Sequence, residues 1–232
     1  MTDHSQNPSD TPLSGTEAKA QDTAREPMLN VPPVTLALTC LLLLAFIAWE
    51  YMGDHAQLFL SRFIFMPIAF TNDPIQQSYT LVSYALLHFN WSHLVVNATG
   101  LLAFGSGIER MMGKRYITGI FIGGAIIGVL GYWIFYPQSP VPLIGASAGI
   151  SALFGAVLPL IVKRPQIMIA SIIFIVINII LGMLGLPNDP MQQSSAGIAW
   201  QAHIAGFLFG EFLTLGILRW KIAQSRKKTS AI

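Results

Sequence analysis

The sequence predicts an all-α membrane protein, a bundle of six membrane-spanning helices, and three observations predict it. Of 232 residues, 53% are hydrophobic and 10% charged, against roughly 25% charged in an ordinary soluble domain. Six runs approach the roughly 20 mostly apolar residues that cross a bilayer as a helix. Every second run ends on a cluster of Lys and Arg.

Residues 1–30 stand apart. Asp3, Asp10, Glu17, Asp22 and Glu26 are set against Lys19 and Arg25 among scattered Pro, Ser and Thr. Such a segment cannot bury enough apolar surface to fold and reads as a disordered tail. It lacks the basic start and short apolar stretch of a secretory signal, so the first apolar run is expected to be retained. The membrane domain is expected over 31–220, followed by a basic tail over 221–232.

The spans are expected at about 34–52, 91–109, 116–136, 147–162, 167–186 and 199–218. Between the first two lies a long segment, 53–90, with Gly, Pro, His55, Arg62 and an apolar stretch from Phe63 to Phe70. Its partial hydrophobicity suggests an interfacial or re-entrant region, and periodicity leaves both open.

Charge sets the direction, because short cytosolic loops carry excess Lys and Arg. Arg110, Lys114 and Arg115 follow span two, Lys163 and Arg164 follow span four, and Arg219, Lys221, Arg226, Lys227 and Lys228 follow span six. On the other side, 137–146 and 187–198 contain no Lys or Arg, and 53–90 contains only Arg62. Both termini are therefore expected in the cytosol. A net charge of +2 concentrated at these loops gives no argument for nucleic acid. The single cysteine, Cys40, rules out an intramolecular disulfide and a cysteine-based metal site.

The basic clusters also act as depth markers. His93 to Glu109, Ser147 to Lys163 and His203 to Arg219 are each 16 positions apart. At about 1.5 Å per residue each gap is roughly 24 Å, so the three polar groups should share a height near the outer edge of the membrane core. Asn97 lies four residues after His93 and projects from the same helix face. Pro137, Pro140, Pro142 and Gly145 precede Ser147, which fits a helix starting at the serine with free backbone N–H groups there. A serine, a base and donors at one depth are the parts needed for acyl transfer.

Other readings compete. Small residues around Ser147 are common at close helix contacts in membranes. Gly145-Ala146-Ser147-Ala148-Gly149 has the form of the soluble-hydrolase elbow, but that serine follows a strand, and no strand pattern precedes this one. His203 alone could be a packing residue or part of a proton relay. His88, His93 and His203 could bind a metal, yet no Asp, Glu or Cys falls at matching depth to complete the site. Glu211, an intramembrane carboxylate, is expected to pair with a polar neighbour. Gly206 and Gly210 form a Gly-xxx-Gly pattern, the signature of close helix contact.

At these residues the chain resembles the rhomboid intramembrane serine proteases over about 75–218. The resemblance rests on His88, His93-xxx-Asn97, Glu109-Arg110 before Gly113, Gly145-Ala146-Ser147, and Ala202-His203-xx-Gly206-xxx-Gly210, all in order. It implies a six-helix rhomboid-like bundle that hydrolyses peptide bonds in membrane-anchored substrates. Ser147 would be nucleophile and His203 its base, with His93, Asn97 and the Ser147 N–H stabilising the oxyanion. No cofactor or metal is expected. The partners expected are transmembrane protein substrates and the lipid bilayer, and the expected location is a bacterial cytoplasmic membrane.

Three departures from the family pattern stand out: Ala148 where Gly often follows the serine, Ser151 where an aromatic often follows four residues later, and Tyr79-Thr80 where Trp-Arg is frequent. No acidic third member accompanies the dyad, since a buried carboxylate would carry a large desolvation penalty; helix packing around Gly206 is expected to hold His203. The 53–90 segment and span five, with Gly182 and Gly185, are both candidates for lateral substrate access. The main alternative is a rhomboid-like protein that binds membrane helices without cutting them. A small transporter is disfavoured by the lack of an inverted repeat with paired broken helices.

Overall fold

The structure, a computed structural model, describes residues 1, 30–51, 53–184 and 199–229. The expected acidic tail and the loop at 187–198 lie outside the described residues. Within 31–232 the described residues form helices and connecting turns with no named strand; one isolated bridge pairs Phe65 with Leu143.

Among the described residues, four helices are long and apolar enough to cross a membrane: α1 (Pro33–Tyr51), α7 (Lys114–Phe135), α9 (Arg164–Leu184) and α10 (Trp200–Thr229). Their length and apolarity are those of an integral membrane protein. A fifth, α8 (Ser147–Ile161), is apolar but only 15 residues long. It is buried almost throughout, which frees it from matching the bilayer by its own length.

The expected second span is interrupted. It consists of α5 (Trp91–Gly100), a π-helical turn over Leu101–Gly105 and α6 (Ser106–Met112). Such bulges insert one residue into the hydrogen-bond ladder and rotate the faces on either side relative to each other. Two other boundaries differ from expectation. The helix α9 begins at Arg164, three residues early, where Pro165 fits a first turn that needs no N–H partner. The helix α10 continues past 218 to Thr229, because 219–229 contains neither Gly nor Pro and is rich in strong helix formers. Arg226, Lys227 and Lys228 in its last turn also oppose the negative end of the helix dipole.

The 53–90 segment folds into three short helices, α2 (Asp54–Ser61), α3 (Pro67–Asn72) and α4 (Thr80–Ser83), and a 3-10 turn at Tyr84–Leu86. Phe65, Phe70 and Tyr84 pack against Ala125 and Val129 of α7. The Trp133 indole N–H donates to Thr71 at 2.9 Å, and the Tyr84 hydroxyl donates to the Ala125 carbonyl at 2.8 Å. Side chains thus anchor a segment whose backbone has little regular periodicity.

Glu109 closes the other end of the bundle. Its carboxylate accepts the N–H groups of Val34 and Thr35 at 3.0 and 2.7 Å, and the Thr35 hydroxyl at 2.9 Å. Two orphan donors of the first turn of α1 are satisfied by a residue 75 and 74 positions away.

Candidate active site

Lipid tails are as apolar as a leucine side chain, so close packing of small residues must hold membrane helices together. The expected contact at Gly206 and Gly210 is present. A Cβ at Gly206 would collide with the Ala148 carbonyl oxygen, and one at Gly210 with that of Ala152. Reciprocally, a Cβ at Gly155 would strike the Phe207 carbonyl. The helices α8 and α10 therefore meet backbone to backbone, and any side chains flanking the contact are brought into reach.

Ser147 and His203 flank it. His203 Nε2 lies 2.8 Å from Ser147 Oγ, although 56 residues separate them in sequence. Both are partly buried. Ser147 is the first residue of α8, and its N-cap Ala146 makes no side-chain capping bond. The first amide to close a helical bond is that of Ile150, to the Ala146 carbonyl at 3.0 Å. The N–H groups of Ser147, Ala148 and Gly149 precede it and make the positive end of the helix.

His93 and Asn97 lie on α5, 5% and 4% exposed. The helix starts at Asn90, whose side chain accepts the His93 N–H at 2.9 Å. Asn97 donates from Nδ2 to the His93 carbonyl at 2.9 Å. The His93 ring fills the space in front of Gly145, two residues before the serine: a Cβ there would sit 2.7 Å from both Cε1 and Nε2 of the imidazole. Gly145 also has φ +119°, in a region that side chains disfavour. Its N–H donates to the Tyr84 carbonyl at 3.0 Å, tying the approach to α8 to the 53–90 segment. His88 is fully buried, its ring centroid 4.9 Å from that of His93.

One polar partner escaped the sequence reading. Asn178 of α9 places Oδ1 2.9 Å from His203 Nδ1, so packing around Gly206 is not all that holds the imidazole. Asn178 is 8% exposed and its Nδ2 donates to the Phe174 carbonyl at 2.9 Å. A signal existed. An asparagine in the middle of an apolar span is costly and rarely idle, and it stands 14 positions beyond Arg164, roughly 21 Å along the helix, close to the depth inferred for His203. Ser151, at the position where an aromatic is frequent, is buried within α8. Glu211 has the polar partner expected of it: Ser171 Oγ at 2.5 Å.

A serine hydroxyl bonded to an imidazole, beside a helix N-terminus and a second buried histidine, has the parts of a nucleophile, a general base and an anion-stabilising pocket. A family model described as "Rhomboid domain" matches residues 76–220, a stretch that contains each of these side chains. Over 87 residues the chain is 33% identical to the putative rhomboid protease YdcA of Bacillus subtilis (strain 168), covering 38% of this chain and 43% of that protein. It is 29% identical over 132 residues to the rhomboid protease GluP of the same organism, covering 57% of this chain and 24% of that protein. Rhomboid-related protein 2 of Mus musculus is 23% identical over 153 residues, 62% of this chain and 49% of its own length. The chain thus spans less than half the length of each of these relatives.

Proposed function

The chain belongs to the rhomboid family, and from that premise we propose that it is an intramembrane serine endopeptidase cutting membrane-anchored proteins in or near their transmembrane segments. The observation that carries the reading is the 2.8 Å contact between Ser147 Oγ and His203 Nε2. Relatives named as proteases support it at the level of the family.

In the proposed reaction, His203 Nε2 takes the hydroxyl proton while Ser147 Oγ attacks the scissile carbonyl carbon. The oxyanion is met by the Ser147 N–H at the start of α8, by the His93 ring and by the Asn97 amide. The C–N bond then breaks, the leaving amine receives the proton from Nε2, and an ester to Ser147 remains. Water, deprotonated by the same Nε2, releases the second product and restores the serine. Because an intact helix keeps its carbonyls in internal hydrogen bonds, substrates carrying helix-breaking Gly or Pro near the cut are favoured.

The topology follows the same proposal. The short α8 and the interrupted Trp91–Met112 segment complete six spans alongside the four long helices. Basic clusters put both termini in the cytosol, and the membrane proposed is a bacterial cytoplasmic one. The chain is then a membrane domain over 31–220 between the acidic tail of 1–30 and the basic end at 221–232.

The test is cleavage of a model single-span substrate in proteoliposomes by wild type, Ser147→Ala and His203→Ala. Product from the wild type alone supports the proposal; equal product from all three refutes the dyad. A folded wild type that binds the substrate helix, cuts nothing and resists fluorophosphonate labelling would establish the binding-protein alternative.

A further inference from the structure

We propose that Asn178 is the positioning residue of the catalytic base, a neutral third member that holds His203 in the tautomer able to accept the Ser147 proton. The inference rests on the dyad proposed above and assigns a role to a helix, α9, that the dyad does not itself require.

The hydrogen-bond chain has one consistent direction. Asn178 Nδ2 donates to the Phe174 carbonyl, which leaves Oδ1, an acceptor only, facing His203 Nδ1 at 2.9 Å. Nδ1 must then carry the proton. In a neutral imidazole only one ring nitrogen does so, so Nε2 presents its lone pair to the Ser147 hydroxyl at 2.8 Å. With the Asn178 amide reversed, its oxygen would face the Phe174 carbonyl, acceptor against acceptor, and its N–H would meet Nδ1, so that the serine would face an Nε2–H. Phe174, through its backbone, therefore selects the tautomer of a histidine on another helix.

The register of α9 against α10 is fixed independently of this bond. Ser171 meets Glu211 at 2.5 Å, Phe174 stacks on Phe207 with centroids 4.3 Å apart and planes inclined by 17°, and Asn178 meets His203. As α9 advances through 171, 174 and 178, α10 retreats through 211, 207 and 203, three rungs of one antiparallel ladder. Of the three buried residues of α9, Ile167, Ser171 and Asn178, the last two lie on it. The chemistry also suits the depth. An aspartate in this role would bring a charge into an apolar surround at a large desolvation cost, whereas an amide supplies the acceptor without charge. It also supplies a hold on the imidazole where Ser151 offers no aromatic ring.

The experiment uses the full chain in proteoliposomes, comparing wild type with Asn178→Leu, which keeps the volume and removes the acceptor, and Asn178→Asp, which keeps the acceptor. Three quantities are read: kcat and KM on a single-span substrate, the rate of fluorophosphonate labelling of Ser147, and the protonated ring nitrogen of His203 from nitrogen-15 NMR of histidine-labelled protein. Asn178→Leu is expected to lose about 10- to 100-fold in kcat, the size of loss that follows removal of the group orienting a metal-bound histidine. KM should stay unchanged, labelling should slow in parallel, and the Nδ1–H tautomer should lose its predominance. Asn178→Asp should retain that tautomer and recover part of kcat. Unchanged labelling and tautomer in a folded Asn178→Leu protein overturns the proposal, since a loss confined to substrate cleavage would then reflect access through α9. Should Asn178→Leu not fold, loss of the Nδ1–H tautomer in Asn178→Asp overturns it and its retention supports it. An inactive, unlabelled wild type would refute the protease, while the NMR comparison would still decide the positioning role by itself.

Discussion

Gly206 lies so close to the carbonyl of Ala148 that α10 and α8 leave no room between them for even a methyl group. Gly206 is three residues after His203, and Ala148 is the residue after Ser147. The contact therefore sets the distance between nucleophile and base. Gly206→Ala should force the helices apart, costing about 1–3 kcal/mol as overpacking does and lowering kcat more than it lowers stability. Gly216, on the same helix, has open space where its Cβ would be. Gly216→Ala should leave turnover unchanged and hold or raise the melting temperature, since Ala is favoured over Gly in a helix. Thermal unfolding in detergent and turnover, measured on both variants, check the contrast; equal behaviour would show that helix separation is not what controls the dyad.

Gly145→Ala carries a double penalty. The new methyl would adopt φ +119° and meet the His93 ring at 2.7 Å. Moving the ring takes a proposed oxyanion donor out of place, so kcat should fall by about 10²- to 10³-fold, the loss seen on removing one such donor. Fluorophosphonate labelling of Ser147 checks it. A variant that labels and turns over like wild type would mean that His93 has no part in stabilising the oxyanion.

How far the fold could be read from sequence depended on the range of the information. Apolar runs and basic clusters are local, and they locate α1, α7, α8 and α9 within a few residues at both ends, including the start of α8 at Ser147, and α10 at its start. Ser147 and His203 can be paired by depth because both lie on spans ending in a basic cluster. Asn178 lies on α9, which runs the other way and starts rather than ends on its basic residue, so the same marker does not reach it. Ser171 and Glu211 illustrate the harder limit: each is visible as a polar residue in an apolar helix, but their pairing depends on a register that only packing of α9 on α10 determines. The 53–90 segment is the least legible part. Its helices are short, and the contacts that order it, Phe65, Phe70 and Tyr84 on α7, are spread too widely in sequence to leave a periodic signal.

Glu109 offers a separation of stability from chemistry. It caps the first turn of α1 through three hydrogen bonds, far along the chain from Ser147. Glu109→Ala strands the Val34 and Thr35 N–H groups, which should cost about 1–3 kcal/mol for charge-assisted bonds. Hydrogen exchange should report fraying of the first turn of α1, and the melting temperature should fall while kcat of the remaining folded protein stays at the wild-type value. A kcat loss exceeding the loss of folded protein would place Glu109 in the path to the site.

Asn97 tests the oxyanion pocket from the other side. In the resting structure its Nδ2 is engaged with the His93 carbonyl one turn earlier on the same helix, a bond worth about 0.5–1.5 kcal/mol net. Asn97→Ala should therefore melt only slightly lower than wild type. If the amide also turns toward the negative oxygen as it develops, its removal costs about 3–4 kcal/mol of transition-state stabilisation, seen in kcat with KM unchanged. The dyad itself is untouched, since the 2.8 Å bond of Ser147 to His203 involves no atom of α5, so the proton transfer that activates the serine should proceed as before. Single-turnover acylation is the discriminating measurement: a defect of equal size there and in kcat assigns Asn97 to the first tetrahedral intermediate, and wild-type acylation excludes it from that step.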